Sequence, residues 1–262
     1  MNDEERVMTE TEGLPTLRVE SYCATIRLNR PTVHNRIEPA DIDELMRLFE
    51  AVDGDPAVRV LVMEAGGKSF SSGYYIQQIG AGGGPATPGF DAMTDRMERV
   101  RVPVIAALNG GVYGGATDLV LGCDFRVGVA GMAMFMPAAK LGLHYYPGGL
   151  QRFVSRLGLD TAKRLFLLGE RLEADELLRV GFLTELVAPE RLREVVAAKA
   201  AALAANAPLA VQGMKRSLND IARGDADMAE IVARSAATGR SADLREGRLA
   251  WMEKRAPAFK GV

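Results

Sequence analysis

Apolar and polar positions alternate over residues 17–20 and 23–28, a two-residue period that predicts two strands closed as a hairpin. Asn29-Arg30-Pro31 ends the second strand. The runs 58–64 (VRVLVME) and 103–108 (PVIAAL) are nearly all apolar, as in strands buried on both faces. A 3.6-residue period carries Ile42, Leu45, Met46, Leu48, Phe49 and Val52 onto one helix face. That helix opens at Glu38-Pro39-Ala40-Asp41 and ends at Asp53-Gly54-Asp55. A second helix passes through Met93, Met97 and Val100, and further strands are expected at 124–129 and 133–136. Pro147-Gly148-Gly149 reads as a loop before a helix from Leu150. The remainder is helical, through 165–169, 174–180, 192–206 and a helix opened by Pro208, apart from a short strand at 183–187. Strands alternating with helices predict an α/β body with a helical C-terminal third. No solenoid-length repeat is present.

The centre of this pattern is 104–124, VIAALNGGVYGGATDLVLGCD. An apolar strand breaks on Gly110-Gly111 and Gly114-Gly115 and resumes as a helical stripe carrying Asp118, so the stretch reads as strand–turn–helix. Backbone without side chains lets a ligand approach exposed N–H groups at a helix start. The plain alternative is a tight junction whose glycines serve packing. Two nucleotide-loop readings fail on spacing. Counting from Gly110, the dinucleotide fingerprint needs glycine where Val112 stands, and a Walker loop ending at Gly67-Lys68-Ser69 needs it where Val62 stands. The Gly- and Pro-rich stretch 80–90 (GAGGGPATPGF) is expected to be a mobile flap.

A chain of 262 residues with 48% hydrophobic and 25% charged residues is that of an ordinary globular protein, with no linker dividing its middle. Net charge of −2 argues against nucleic acid as a partner. Cys23 and Cys123 lie in apolar patterns and are expected to be buried free thiols; no CxxC or HExxH spacing suggests a metal site. The polar, acidic start MNDEERVMTETEG is not a targeting peptide, and no window reaches 18 apolar residues. The expected location is cytoplasmic, with no membrane contact.

Several short motifs in order resemble one family. They are Arg30-Pro31 with Asn35; Phe70-Ser71-Ser72-Gly73; residues 103–110 (PVIAALNG); Gly114-Gly115 with Asp118-Leu119; and Cys123-Asp124. Pro147-Gly148-Gly149 with Gln151-Arg152, the run Gly169, Ala174, Gly181, and the ending SADLREGRLAWMEKRAPAFKG complete the set. Together they resemble the crotonase (enoyl-CoA hydratase/isomerase) superfamily from residue 17 to 261. The resemblance implies a spiral of ββα units: a tail at 1–14 expected to be disordered, a core at 15–200, and a helical trimerisation region at 201–262. It implies homo-trimers or hexamers, an acyl-CoA thioester as substrate, and no cofactor besides the coenzyme A the substrate carries. It matches the thioester-carbonyl donors to the backbone N–H groups of Tyr74 and Gly115, an oxyanion hole. It also implies substrate and coenzyme contacts at Val33, Asn35, Ser72, Gly73, Tyr75, Ile76, Tyr113, Gly114, Pro137, Ala138 and Leu141. Lys254 and Phe259 match the stretch that reaches a neighbouring subunit's coenzyme in relatives.

The acid–base groups depart from the hydratase pattern. Of the two glutamates that flank water in hydratases, the first matches Asp118 and the second falls on Ala138, which cannot move a proton. Asp118 is the leading acid–base candidate; otherwise it is an acid favoured by its place in the first turn of a helix. Tyr145 lies where decarboxylase-like members resemble this stretch, and a phenol there can orient a carboxylate or donate a proton. His144 has the intrinsic acidity for proton transfer. Structural roles, an aromatic plug and a loop histidine, are the alternatives. The expectation is therefore an enzyme of the enoyl-CoA hydratase/isomerase type. An acyl-CoA decarboxylase or hydrolase on the same oxyanion hole, or a non-catalytic acyl-CoA binder, are the alternatives.

Overall fold

The computed structural model describes residues 6–7, 13–80 and 89–262. The hairpin forms as expected, from β2 (Thr16–Glu20) and β3 (Cys23–Leu28), paired antiparallel. Arg6–Val7 (β1) adds to β2, so this part of the tail expected to be disordered is a sheet edge; the rest of 1–12 lies outside the described residues, as does 81–88 of the expected flap.

Helix α1 (Pro39–Gly54) starts where Asp41 accepts from the Glu38 N–H at 2.9 Å and from Arg30 Nε, and Leu45, Leu48 and Phe49 bury its inner face. Each such fully buried side chain stabilises the fold by roughly 1.5–3 kcal/mol relative to exposure. From there the chain repeats one unit. β4 (Val60–Ala65) is followed by β5 (Ser69–Ser71) and α2 (Phe90–Glu98). β6 (Val104–Leu108) is followed by β7 (Gly111–Tyr113) and α3 (Ala116–Gly122). β8 (Phe125–Val129) is followed by β9 (Ala133–Phe135) and then by α4 (Pro147–Leu157) and α5 (Leu159–Leu168). β10 (Arg171–Glu173), α6 (Ala174–Arg179) and β11 (Glu185–Val187) close the core.

Each turn of this spiral sends one strand to each of two sheets. The larger has the order β1-β2-β3-β4-β6-β8-β11 and is parallel from β3 onward; the smaller has the order β10-β9-β7-β5. The fold is thus the expected α/β spiral of ββα units. Two details differ from the sequence reading. The glycine pairs flank β7 instead of making one turn, and α4 begins at Pro147, because proline suits a first helical position and the two glycines continue the helix. β10 gave no sequence signal.

Helices α1 to α4 pack in series, α2 on α1 and α3, α3 on α4. On the other side α7 (Leu192–Ala204) lies across β4, β6 and β8, and the boundary expected at residue 200 falls inside it. α8 (Pro208–Arg223) packs against α4, α9 (Met228–Gly239) against α8, and α10 (Ala242–Glu253) against α9. Cys123 is buried as expected, whereas Cys23 is only partly buried because its side of β3 is incompletely covered; both are free thiols. No single described helix is long and apolar enough to cross a membrane.

Candidate active site

The β5 and β7 strands bring two turns together. Gly73 has φ +87°, and a Cβ there would lie 2.5 Å from the Tyr113 carbonyl oxygen and 2.8 Å from the Gly115 nitrogen. Only glycine allows that approach. It brings the backbone at Gly73, just before Tyr74, against the backbone at Gly115, and among the described residues neither the Tyr74 nor the Gly115 N–H has an acceptor. Gly115 itself has ordinary helical dihedrals; its missing side chain leaves room for the Phe90 ring, which a Cβ would approach to 2.7 Å.

Beside these groups lies a cavity of about 200 Å³. Its wall is apolar and aromatic, with Ile76, Ile79, Phe90, Phe135, Met136 and Leu143. Of the expected contact residues, Ser72, Tyr74, Ile76, Tyr113, Gly114, Gly115, Pro137, Ala138, Leu141 and Tyr145 line it. The Tyr74 ring meets Phe90 edge-on at 5.7 Å and narrows the space. Larger concavities, of about 730 and 850 Å³, lie among the C-terminal helices, remote from the paired N–H groups.

Other candidates are placed elsewhere. Asn35 is buried and fully used: its Oδ1 accepts from the Arg30 N–H at 2.9 Å, and its Nδ2 donates to the Gly66 and Ser69 carbonyls at 2.7 and 3.0 Å. It fixes the loop and is not free for a ligand. Val33 contributes its carbonyl to the Ser72 hydroxyl, and the Tyr75 ring lies under the Arg36 guanidinium, so neither side chain is on the cavity wall. His144 is exposed, with Nδ1 2.8 Å from the Tyr145 carbonyl oxygen, and is likewise off the wall. Lys254 follows α10, and Phe259 lies in the C-terminal groove with its carbonyl accepting from Arg59 at 2.8 Å; neither lines the cavity.

Asp118 is fully buried and does not line the cavity. Arg152 on α4 grips it at both ends, Nε to Oδ1 at 2.8 Å and Nη2 to Oδ2 at 3.2 Å. The phenol of Tyr146 donates to Oδ2. Tyr145 in turn donates to the Tyr146 oxygen at 3.2 Å, and the two rings stack with centroids 4.3 Å apart. Among the described residues Asp118 is linked to the cavity through Tyr146, which lines it together with Tyr145. Burial, reinforced by the nearby Asp118 charge, pushes both phenols well above the ordinary tyrosine range, so both keep their protons at neutral pH.

Tyr146 and Arg152 were not singled out from sequence. Arg152 stands in a quoted motif, but its partners Asp118 and Glu98 are 34 and 54 residues away along the chain. The signal open to sequence was an arginine on the otherwise apolar inner face of an amphipathic helix. No set of three or more histidine, cysteine or acidic side chains arranged for a metal occurs among the described residues.

Hydrogen bonds link Tyr145 to Tyr146 and Tyr146 to Asp118, a route along which a proton can pass. Residues 18–262 match the family model described as enoyl-CoA hydratase/isomerase. A crotonyl-CoA hydratase of Syntrophomonas wolfei is 31% identical over 253 residues, covering 93% of this chain and 96% of that protein. A carnitinyl-CoA dehydratase of Citrobacter koseri is 31% identical, covering 90% and 94%. A crystal structure of an enoyl-CoA hydratase subunit from Geobacillus kaustophilus superposes with a TM-score of 0.85 at 30% identity, covering 95% of this chain and 98% of that one. The chain belongs to the enoyl-CoA hydratase/isomerase family of the crotonase superfamily, and is an acyl-CoA enzyme of that family.

Proposed function

We propose that the protein shifts a double bond within an enoyl-CoA, holding the thioester enolate between the Tyr74 and Gly115 N–H groups. The observation that carries this reading is the hydrogen-bonded series from Tyr145 through Tyr146 to Asp118, with no carboxylate among the described residues of the cavity wall. Hydration by a pair of carboxylates needs two acids around one water, and Ala138 lines the cavity where the second would stand. Isomerisation needs one group that takes a proton from one carbon and returns it to another.

In this reading the proton on the α-carbon of a β,γ-enoyl thioester passes to a phenol oxygen as the phenol proton passes toward Asp118. The carbonyl becomes a dienolate oxyanion at the two N–H groups, and the same proton returns at the γ-carbon. The phenols and Asp118 end in their starting protonation states, so the net change is one proton transferred from the α-carbon to the γ-carbon, and no oxidant or water is consumed. Loss of one oxyanion donor costs about 2.7–4 kcal/mol of barrier in comparable sites. Because both phenols hold their protons tightly, they ferry the proton and Asp118 is its acceptor.

The decisive experiment incubates β,γ-enoyl-CoA, α,β-enoyl-CoA and malonyl-type CoA with the purified protein in deuterated water, followed by chromatography and mass spectrometry. A shifted double bond, lost in Asp118→Asn, supports isomerisation. Gain of water, loss of CO2 or release of free coenzyme A instead moves the protein to the hydratase, decarboxylase or hydrolase branch. Unchanged thioesters that still bind leave an acyl-CoA binder. The reading includes a homo-trimer or hexamer in the cytoplasm. The exposed Met214, Leu218, Met228, Val232 and Trp251 on the C-terminal helices support self-association, which sedimentation measures.

A further inference from the structure

Arg152 fixes both carboxylate oxygens of Asp118, the group that ends the proton relay. The far side of Arg152 bears on this. The same guanidinium donates from Nη1 to Glu98 Oε2 at 3.0 Å and from Nη2 to Asp95 Oδ1 at 3.0 Å. Glu98, at the end of α2, is 3% exposed and also accepts from Arg156 Nη2 at 2.7 Å and from Arg223 Nη1 at 3.3 Å.

Burial alone would raise the Glu98 carboxyl; the charges of Arg152, Arg156 and Arg223 outweigh it and hold the group below the ordinary glutamate range. Glu98 is therefore a fixed anion at neutral pH, set directly behind the guanidinium that holds Asp118. We infer that Glu98 is a positioning residue for the proton relay: it shares Arg152 with Asp118, so the arginine orients Asp118 without taking away its capacity to accept a proton. This rests on the reading of Asp118 as the end of the relay.

The groups around the pair are few. Arg152 reaches Asp118 from α4, Tyr145 and Tyr146 from the loop before it; Thr94 on α2 touches Tyr146 and Arg152. Around Glu98, Arg152 and Arg156 come from α4 and Arg223 from α8, while Asn219 of α8 donates to the Glu98 main-chain carbonyl at 3.2 Å. Arg223 is itself held by Asp220 and Asp225. Removing the Glu98 charge leaves Arg152 with Asp118 and Asp95 as its acidic partners, so more of its charge bears on Asp118. Removing the Arg223 charge acts in the opposite sense.

The test compares Glu98→Gln, Glu98→Asp and Arg223→Gln in protein carrying carboxyl-labelled aspartate. The Asp118 signal is assigned by its loss in Asp118→Asn, so its titration is read without turnover. In Glu98→Gln the Asp118 titration and the acidic limb of kcat/KM both move down by about one pH unit. In the same variant kcat falls roughly tenfold while KM is retained. Arg223→Gln moves both upward, and Glu98→Asp, which keeps the charge, returns both toward wild type. If Glu98→Gln does not fold, Arg223→Gln carries the test from the less deeply buried end. A titration unmoved in every folded variant, with kcat lowered alike, overturns the inference and leaves Glu98 a packing residue. A moved titration with unchanged turnover sustains the Glu98–Asp118 link and overturns the relay reading instead.

Discussion

The Tyr146 ring separates two regions built in opposite ways. On one side is the cavity, walled by Phe90, Phe135, Leu143 and other apolar groups, with no carboxylate or cation among the described residues that line it. On the other side Asp118, Arg152, Glu98 and Arg156 pack within bonding distance of one another, Arg152 and the two acids almost entirely out of water. A buried charge is tolerated only when paired and hydrogen-bonded, and each of these has at least one mate. The contrast teaches where charge can be kept beside an apolar cavity: behind a phenol, locked to fixed partners.

The first way to break the contrast is Asp118→Asn, which removes the acceptor while keeping its shape. It is expected to lower kcat by about 10²- to 10⁴-fold with coenzyme A binding retained, as measured by turnover and calorimetry. Arg152→Met strands Asp118 and Glu98 without their shared cation and is expected to destabilise the fold by about 3–5 kcal/mol, read by urea unfolding. Tyr146→Phe removes the bridge between the two regions. The expected loss is about 10²-fold in kcat against about 1–3 kcal/mol in stability, so activity suffers more than folding.

The pH dependence of stability sharpens the same comparison. Glu98 is held below its ordinary value, so its contribution is fully present above the unfolded glutamate range and is lost as pH falls through the folded value. Urea midpoints of wild type should fall on acidification, and Glu98→Gln should flatten that slope. The smallest effect belongs to His144→Ala. That exposed side chain lies off the cavity wall, and the change should leave kcat unaltered and stability within about 0.5 kcal/mol.

Most of the spiral was legible because its strands are long apolar runs and its helices carry clear stripes. β7 was missed because three residues, Gly111 to Tyr113, are too few to show a period. The start of α4 was misread because Gly148 and Gly149 look like breakers. Their real service is close approach: a Cβ on Gly149 would fall 2.3 Å from the Tyr145 ring, and one on Gly148 would fall 2.6 Å from an Asp95 carboxylate oxygen. At the site, the Gly73 and Gly114-Gly115 turns were readable as backbone features. The ion pairs were not, since Arg152 meets Asp118 and Glu98 only after α2, α3 and α4 have packed. Asn35 illustrates the converse, a residue in a family motif whose three hydrogen bonds serve the loop.

Gly73 has no functional group, yet a methyl there would strike the Tyr113 carbonyl oxygen and the Gly115 nitrogen. In a saturation scan scored by turnover, position 73 would therefore look like a catalytic residue, with every replacement failing whatever its charge or size. A scan scored only by abundance would rank it far lower, provided the two turns can part without unfolding the larger sheet. The gap between the two rankings would measure how much of this enzyme's function is stored as the distance between two loops.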